Sequence, residues 1–253
     1  ITTCILPMDM RTRVNDALKS AMKSQDKTRL STLRLINAAI KLFRERDLPV
    51  ICIQHMNEEE GLVPGTEEFA VPDDACVIAA AGQLIPRKGH RYLLQAVADL
   101  RHRYPQLRLV IFGEGYLNNQ LRAQAASLGL GDVVQFAGFR DDLDEFMGCI
   151  DIFAHPALAE GLGVATLKAA AAAVPVVGFA AGGLPEAVID GETGLLVPPE
   201  DIAALAAALA ALVDDPDRRR QMGAAGQHRM QNDFSIDTMA DKHVKLYETI
   251  LNG

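Results

Sequence analysis

An α/β fold is predicted for most of this chain: a Rossmann-like parallel sheet with helices on both faces, preceded by an N-terminal α-helical hairpin. Three observations predict it. From Cys76 onward, near-continuous apolar runs of strand length alternate with amphipathic runs of helical length, as in a parallel sheet covered on both faces. Residues 150–179 spell one complete βαβ unit, with a glycine-bearing loop between its first strand and its helix. Residues 9–46, in contrast, show helical periodicity and no alternating pattern.

The hairpin comes first. From Asp9 to Ser24 the apolar positions Met10, Val14, Ala17, Leu18, Ala21 and Met22 follow helical spacing, and Gln25-Asp26 interrupts them. Asp26 can cap a second helix from Lys27 to Arg46, whose apolar face is Leu30, Leu33, Ile36, Ile40 and Phe43. Cations crowd both helices, among them Arg11, Arg13, Lys19, Lys23, Arg29, Arg34, Lys41 and Arg44. The domain organisation is thus 1–48 for the hairpin, 49–75 for an acidic, turn-rich connector around Glu58-Glu59-Glu60-Gly61 and Pro72-Asp73-Asp74, and 76–253 for the sheet domain.

The sheet domain opens with a strand, Cys76 to Ala81, and a helix from about His90 to Tyr104. Next come a strand over Leu107 to Phe112, a helix over Leu117 to Leu128, a strand over Val133 to Phe136 and a short helix over Asp141 to Met147. The βαβ unit runs through a strand from Ile150 to Ala154, a helix from Val164 to Ala173 and a strand from Val174 to Phe179. A last short strand spans Leu195 to Val197. Three helices close the chain: a stripe of Ile202, Leu205, Leu209 and Leu212, a second helix over Asp217 to Met230, and a third capped by Ser235 with Met239, Val244, Tyr247 and Leu251 inward. In such a sheet the ligand crevice lies at the carboxyl ends of the strands, where the glycine loops fall.

Composition narrows the function. The 253 residues are 49 % hydrophobic, enough for a sizeable core. A net charge of −8 argues against a generally basic nucleic-acid protein. The four cysteines, Cys4, Cys52, Cys76 and Cys149, form no CxxC pair and read as reduced thiols of a cytoplasmic protein. No apolar run reaches the roughly 18 residues of a membrane helix. The chain begins at Ile1 rather than Met, as a fragment or processed product would.

The loop after Pro156 carries the chemistry. Glu160-Gly161-Leu162-Gly163 feeds a helix beginning near Val164, so backbone N–H groups face outward at the positive end of a helix dipole. That is a seat for phosphate, with Glu160 beside it to bind hydroxyls.

These residues resemble a known family. Glu160-Gly161-Leu162-Gly163, Gly182-Gly183-Leu184-Pro185-Glu186 and Asp190-Gly191-Glu192-Thr193-Gly194-Leu195-Leu196-Val197 closely match, in order and spacing, the donor half of the retaining glycosyltransferases of family 4, which have the two-domain GT-B fold. The resemblance implies a nucleotide-sugar donor, a UDP- or GDP-sugar, with no metal or other cofactor. It implies Lys88 and Glu160 as catalytic residues. The donor-binding set it implies is Gly82, Gln83, Arg87, Gly113, Gly115, Gly138, Phe139, Gly161, Leu162, Gly163, Val164 and Lys168. Two of these depart from the family pattern. Gln83 stands where the pattern has an Arg, with Arg87 as a neighbouring stand-in. Lys168 stands where it has a second Glu that grips the ribose, and an ammonium accepts no hydrogen bond. Ala157 replaces a common Ser, and His155 reads as a packed or hydrogen-bonded strand-end histidine.

A second resemblance covers about residues 8–41, where Leu18-Lys19-Ser20-Ala21-Met22-Lys23 and Asp26 to Lys41 are similar to the start of YqeY-like proteins, relatives of the tail of the tRNA-dependent amidotransferase B subunit. It implies a tRNA contact through 9–46, against which solvated hairpin charge is the simpler reading. With only 75 residues before Cys76, the expectation is a donor half of low activity alone, served by a separate acceptor domain or a homo-oligomer partner. A non-catalytic nucleotide-binding or RNA/protein adaptor and a fused chimeric chain are the alternatives.

Overall fold

The structure is a computed structural model and describes residues 75–252. The hairpin, the connector up to residue 74, the YqeY-like segment with its tRNA contact, Cys4 and Cys52 lie outside the described residues. The described chain falls into two compact units, one ending at Asn232 and one beginning at Asp233.

The first unit is built on six strands: β1 (Cys76–Ala81), β2 (Leu107–Phe112), β3 (Val134–Gly138), β4 (Ile152–His155), β5 (Val176–Phe179) and β6 (Gly194–Val197). All pair in parallel, in the order β3-β2-β1-β4-β5-β6. The helices are α1 (His90–Leu100), α2 (Asn118–Ser127), α3 (Leu143–Phe146), α4 (Val164–Ala171), α5 (Leu184–Ala187), α6 (Ile202–Val213) and α7 (Pro216–Asp233). The Rossmann-like sheet with helices on both faces is therefore the fold of this unit.

Successive β1 side chains point to opposite faces of the sheet, as the pleat requires, and both sets are buried. Ile78 and Ala80 join Leu109, Ile111, Ile152 and Val177 under Leu93, Leu94 and Val97 of α1 and Leu205, Leu209 and Leu212 of α6. Val77 and Ala79 face the other way, with Val110, Phe112, Phe153 and Val176, against Phe146, Met147, Ala169 and Leu184. Both faces of the sheet are therefore covered over β1, β2, β4 and β5, and those central strands read as near-continuous apolar runs because helices pack on both sides of them.

Several element boundaries differ from expectation for local reasons. Helix α1 stops at Leu100 rather than Tyr104, because Tyr104 precedes Pro105 and a residue before proline is pushed out of the α region. Its side chain instead donates a hydrogen bond to Asp214 at 2.8 Å. Helix α4 stops at Ala171, since Ala173 takes a positive φ of 58° and Pro175 follows. The strand read from Ile150 starts at Ile152, Asp151 being engaged with β1. The loop Gly182 to Glu186 contains a one-turn helix, α5, with Pro185 in its first turn, where a missing N–H costs nothing.

In the second unit, helix α8 (Ile236–Asn252) is capped as expected: the Ser235 hydroxyl accepts from the Thr238 N–H at 3.1 Å. Tyr247 is buried, but Met239 is exposed, which corrects the inward face read for it. Among the described residues no helix is long and apolar enough to cross a membrane.

Candidate functional site

The strand order reverses between β1 and β4, and in an open parallel sheet the crevice outside such a switch point is the ligand site. The loops leaving β1 and β4 meet there. A single turn of tight helix, Pro86–Lys88, follows β1 and ends at Gly89, whose φ is 70°. A side chain at Gly89 would place its Cβ 1.8 Å from the Pro156 carbonyl oxygen, so only glycine lets the two loops touch. Leu158 N–H donates to the Arg87 carbonyl at 2.7 Å, tying them again.

This contact brings Lys88 to Glu160. The Lys88 side chain passes over Gly82, and its Nζ donates to Glu160 Oε2. The two side chains are only 14 % and 15 % exposed. Burial pushes the Glu160 carboxyl up, but the hydrogen bond and charge of Lys88, with help from His155 and the Gly161 N–H, outweigh it and hold the group below its usual range. From below, Gly182 and Gly183 of the next loop approach the Glu160–Gly161 backbone, and the Gly183 N–H donates to the Glu160 carbonyl at 3.0 Å. Two of the three sequence motifs therefore meet at the Glu160 backbone, while the third, Asp190–Val197, runs into β6 beside β5.

Beneath the pair lie polar atoms without partners. His155, 3 % exposed at the end of β4, has its Nε2 3.8 Å from Glu160 Oε2 and makes no hydrogen bond through it. His90 Nδ1 at the start of α1 and Thr166 Oγ1 in the first turn of α4 are likewise buried and unpaired. Burial, with the Lys88 charge, lowers the His155 pKa to about 4 despite Glu160; burial, His155 and Lys88 do the same for His90. Both rings are neutral at pH 7. His155 was expected to be packed or hydrogen-bonded. It is packed, and its Nε2 is unpaired.

The remaining predicted residues spread along the same edge. Gly113, Gly115 and Gly138 line a cavity of about 420 Å³ with Asn118, Arg122 and Phe136. Its walls are strapped together by Leu84 N–H on the Glu114 carbonyl at 2.8 Å and by Gly113 N–H on the Gly138 carbonyl. Phe139 beside it is 71 % exposed, and Tyr116 is exposed too. Arg140 forks onto both oxygens of Asp142, at 2.7 and 2.6 Å. Gly161 and Gly163 flank Leu162 at the start of α4, where Leu162 and Val164 are exposed. Gln83 is exposed and occupies the β1 loop. Arg87 does not stand at the Gln83 position: its guanidinium donates to the Ala159 carbonyl at 3.3 Å, next to Glu160. Lys168 joins neither Lys88 nor Glu160; its Nζ is 2.8 Å from Asp144 Oδ2 on α3.

Sequence reasoning missed His90, Thr166, Arg122 and Asp144. No pattern marks the burial of His90 or Thr166, since both depend on which loops meet. Asp144 had one signal, a carboxylate on the helix that follows the Gly138 segment.

The site's motifs correspond to known proteins. Residues 66–229 match the family of glycosyl transferases group 1, a match that begins inside the segment read as a connector. The chain is 38 % identical over 193 residues to the GDP-mannose-dependent alpha-(1-6)-phosphatidylinositol monomannoside mannosyltransferase of Mycolicibacterium smegmatis, covering 67 % of this chain and 50 % of that protein. It is 32 % identical over 215 residues to the D-inositol 3-phosphate glycosyltransferase of Streptomyces scabiei, covering 81 % and 48 %. The Anabaena HepE protein, solved in complex with UDP, superposes with a TM-score of 0.67 at 26 % identity, covering 73 % of this chain and 51 % of that one. The chain spans about half the length of the curated relatives it matches. By its motifs, its sheet order and these matches, the chain belongs to the group 1 glycosyl transferases.

Proposed function

We propose that residues 76–232 form the donor-binding half of a retaining glycosyltransferase and take a nucleoside diphosphate sugar at the carboxyl ends of β1 and β4. The observation that carries this reading is the Lys88–Glu160 pair, held under the amide-bearing turn that opens α4. A departing diphosphate gathers negative charge, and a fixed ammonium beside helix-end N–H groups stabilises that charge without reorganising. Glu160, an acceptor held ionised, supplies the partner for a sugar hydroxyl. The cavity at Gly113, Gly115 and Gly138, with Phe139 bare beside it, is the seat for the base. GDP-mannose is the donor named for the mycobacterial relative and UDP the ligand of the Anabaena protein, so guanine and uracil nucleotides are the ones to test first.

The experiment is titration calorimetry of the full chain with GDP, GDP-mannose, UDP and UDP-glucose. One nucleotide pair should bind, and the double substitution Lys88→Met with Glu160→Gln should weaken it about 100-fold. No heat with any of the four at millimolar ligand would overturn the reading.

Two departures favour a second reading, a nucleotide-binding domain with little turnover of its own. Gln83 brings no charge to the phosphate loop, and the Lys168 ammonium is already engaged by Asp144. Donor hydrolysis by the purified chain separates the two: binding without release of free sugar supports the second.

A further inference from the structure

Resting on the donor site proposed above, we infer that Asp144, held in place by Lys168, is the acceptor for the vicinal hydroxyls of the donor's ribose. A nucleotide with its diphosphate at the start of α4 and its base at the end of β3 must set its ribose between those two elements. The Lys168–Asp144 pair ties α4 to α3, the helix that follows β3: Lys168 lies on α4, four residues, or about 6 Å, along the axis from Val164. Its side chain leans back toward the helix start, as helical side chains do. Asp144 lies on α3, the helix that follows the Gly138–Phe139 segment.

The chemistry of the two groups decides which of them meets a diol. Two adjacent hydroxyls present two O–H donors; an ammonium has donors only, while a carboxylate has only acceptor lone pairs. Asp144 spends Oδ2 on Lys168, and its side chain is 44 % exposed. Asp142, two residues earlier, has both oxygens engaged by the Arg140 fork, whereas Asp144 has only Oδ2 engaged. Lys168 therefore acts as a positioning residue: it fixes the Asp144 rotamer, and it does not reach for phosphate itself. A mere surface ion pair is weak and would leave nucleotide affinity alone. A diol acceptor would not.

The test compares GDP with 2′,3′-dideoxy-GDP by calorimetry on the full chain at pH 7.5, with UDP and 2′,3′-dideoxy-UDP in their place if uracil binds better. The wild-type protein should prefer the ribonucleotide by about 10-fold. Asp144→Asn should erase that preference, lowering affinity for the ribonucleotide and leaving the dideoxy form within about twofold. Lys168→Ala should cost about threefold, on the ribonucleotide only. Asp141→Asn serves as the charge control and should keep the preference. An unchanged preference in Asp144→Asn, or no preference in the wild type, overturns the assignment of Asp144 while nucleotide binding itself stands. A larger loss in Lys168→Ala than in Asp144→Asn, felt equally by both nucleotides, makes Lys168 the phosphate cation and overturns it as well. If no nucleotide binds the wild type, the donor site falls together with this inference.

Discussion

At the amino end of β1 and β4, Asp151 accepts the Val77 N–H at 2.8 Å through one oxygen and receives Arg219 at 3.3 Å on the other, while Arg219 also donates to the Leu212 and Val213 carbonyls at 2.7 and 3.1 Å. Cys76 is buried beside this group, its thiol pushed up to about 12 by burial and by Asp151. At the carboxyl end of the same two strands, His155 Nε2, His90 Nδ1 and Thr166 Oγ1 are buried without partners. Val164 is bare after β4, and Tyr116 and Phe139 are bare after β2 and β3 along the same edge of the sheet. Buried polar groups in proteins are nearly always satisfied, and the exceptions call for an explanation. One end of the sheet completes its hydrogen bonds within the chain and serves stability. The other end is left incomplete, as a surface that binds a polar ligand would be.

The comparison can be broken first by acid. A histidine held neutral by burial has its folded pKa below its unfolded one, so the unfolded chain takes up the proton first. Stability is then full above pH about 6.5 and falls as the pH drops toward about 4. The expected loss over that window is on the order of 3 kcal/mol for one such ring, read as the shift in urea midpoint between pH 7 and pH 4.5. His155→Asn should flatten the slope. An unchanged slope would mean that the carboxyl end is not where the acid sensitivity resides.

Asp151→Ala attacks the closed end. It strands the Val77 N–H and leaves Arg219 without its carboxylate, at a cost of about 2–3 kcal/mol in chemical denaturation, with nucleotide affinity unchanged. A fall in affinity would show that the two ends are not separate in function. The opposite pattern is expected from the Lys88→Met, Glu160→Gln pair. Removing both charges together leaves no orphaned ion, so stability should change by less than about 1 kcal/mol while binding weakens about 100-fold. The smallest stability effect belongs to Phe139→Ala, within about 0.5 kcal/mol for so exposed a ring, with affinity down about 10-fold if the base stacks there.

Much of the first unit could be read from residue types. Because both faces of the sheet are covered, Cys76–Ala81 and Leu107–Phe112 are nearly continuous apolar runs, and their short length with a glycine directly after each marks them as strands rather than helices. The boundaries slipped where a neighbour outside the local pattern took a residue, as Asp151 and Tyr104 show.

What the amino-acid sequence determined by itself was the order of strands and helices and the glycine turn that opens α4, because these depend on side-chain type and short spacing. The tertiary structure decided the rest. Lys88 and Glu160 are 72 positions apart and meet only because β1 lies beside β4. Lys168 finds Asp144 because α3 lies within reach of α4. A charge pair of long sequence separation is fixed by how loops are brought together by the sheet, and no local pattern of residues encodes that meeting.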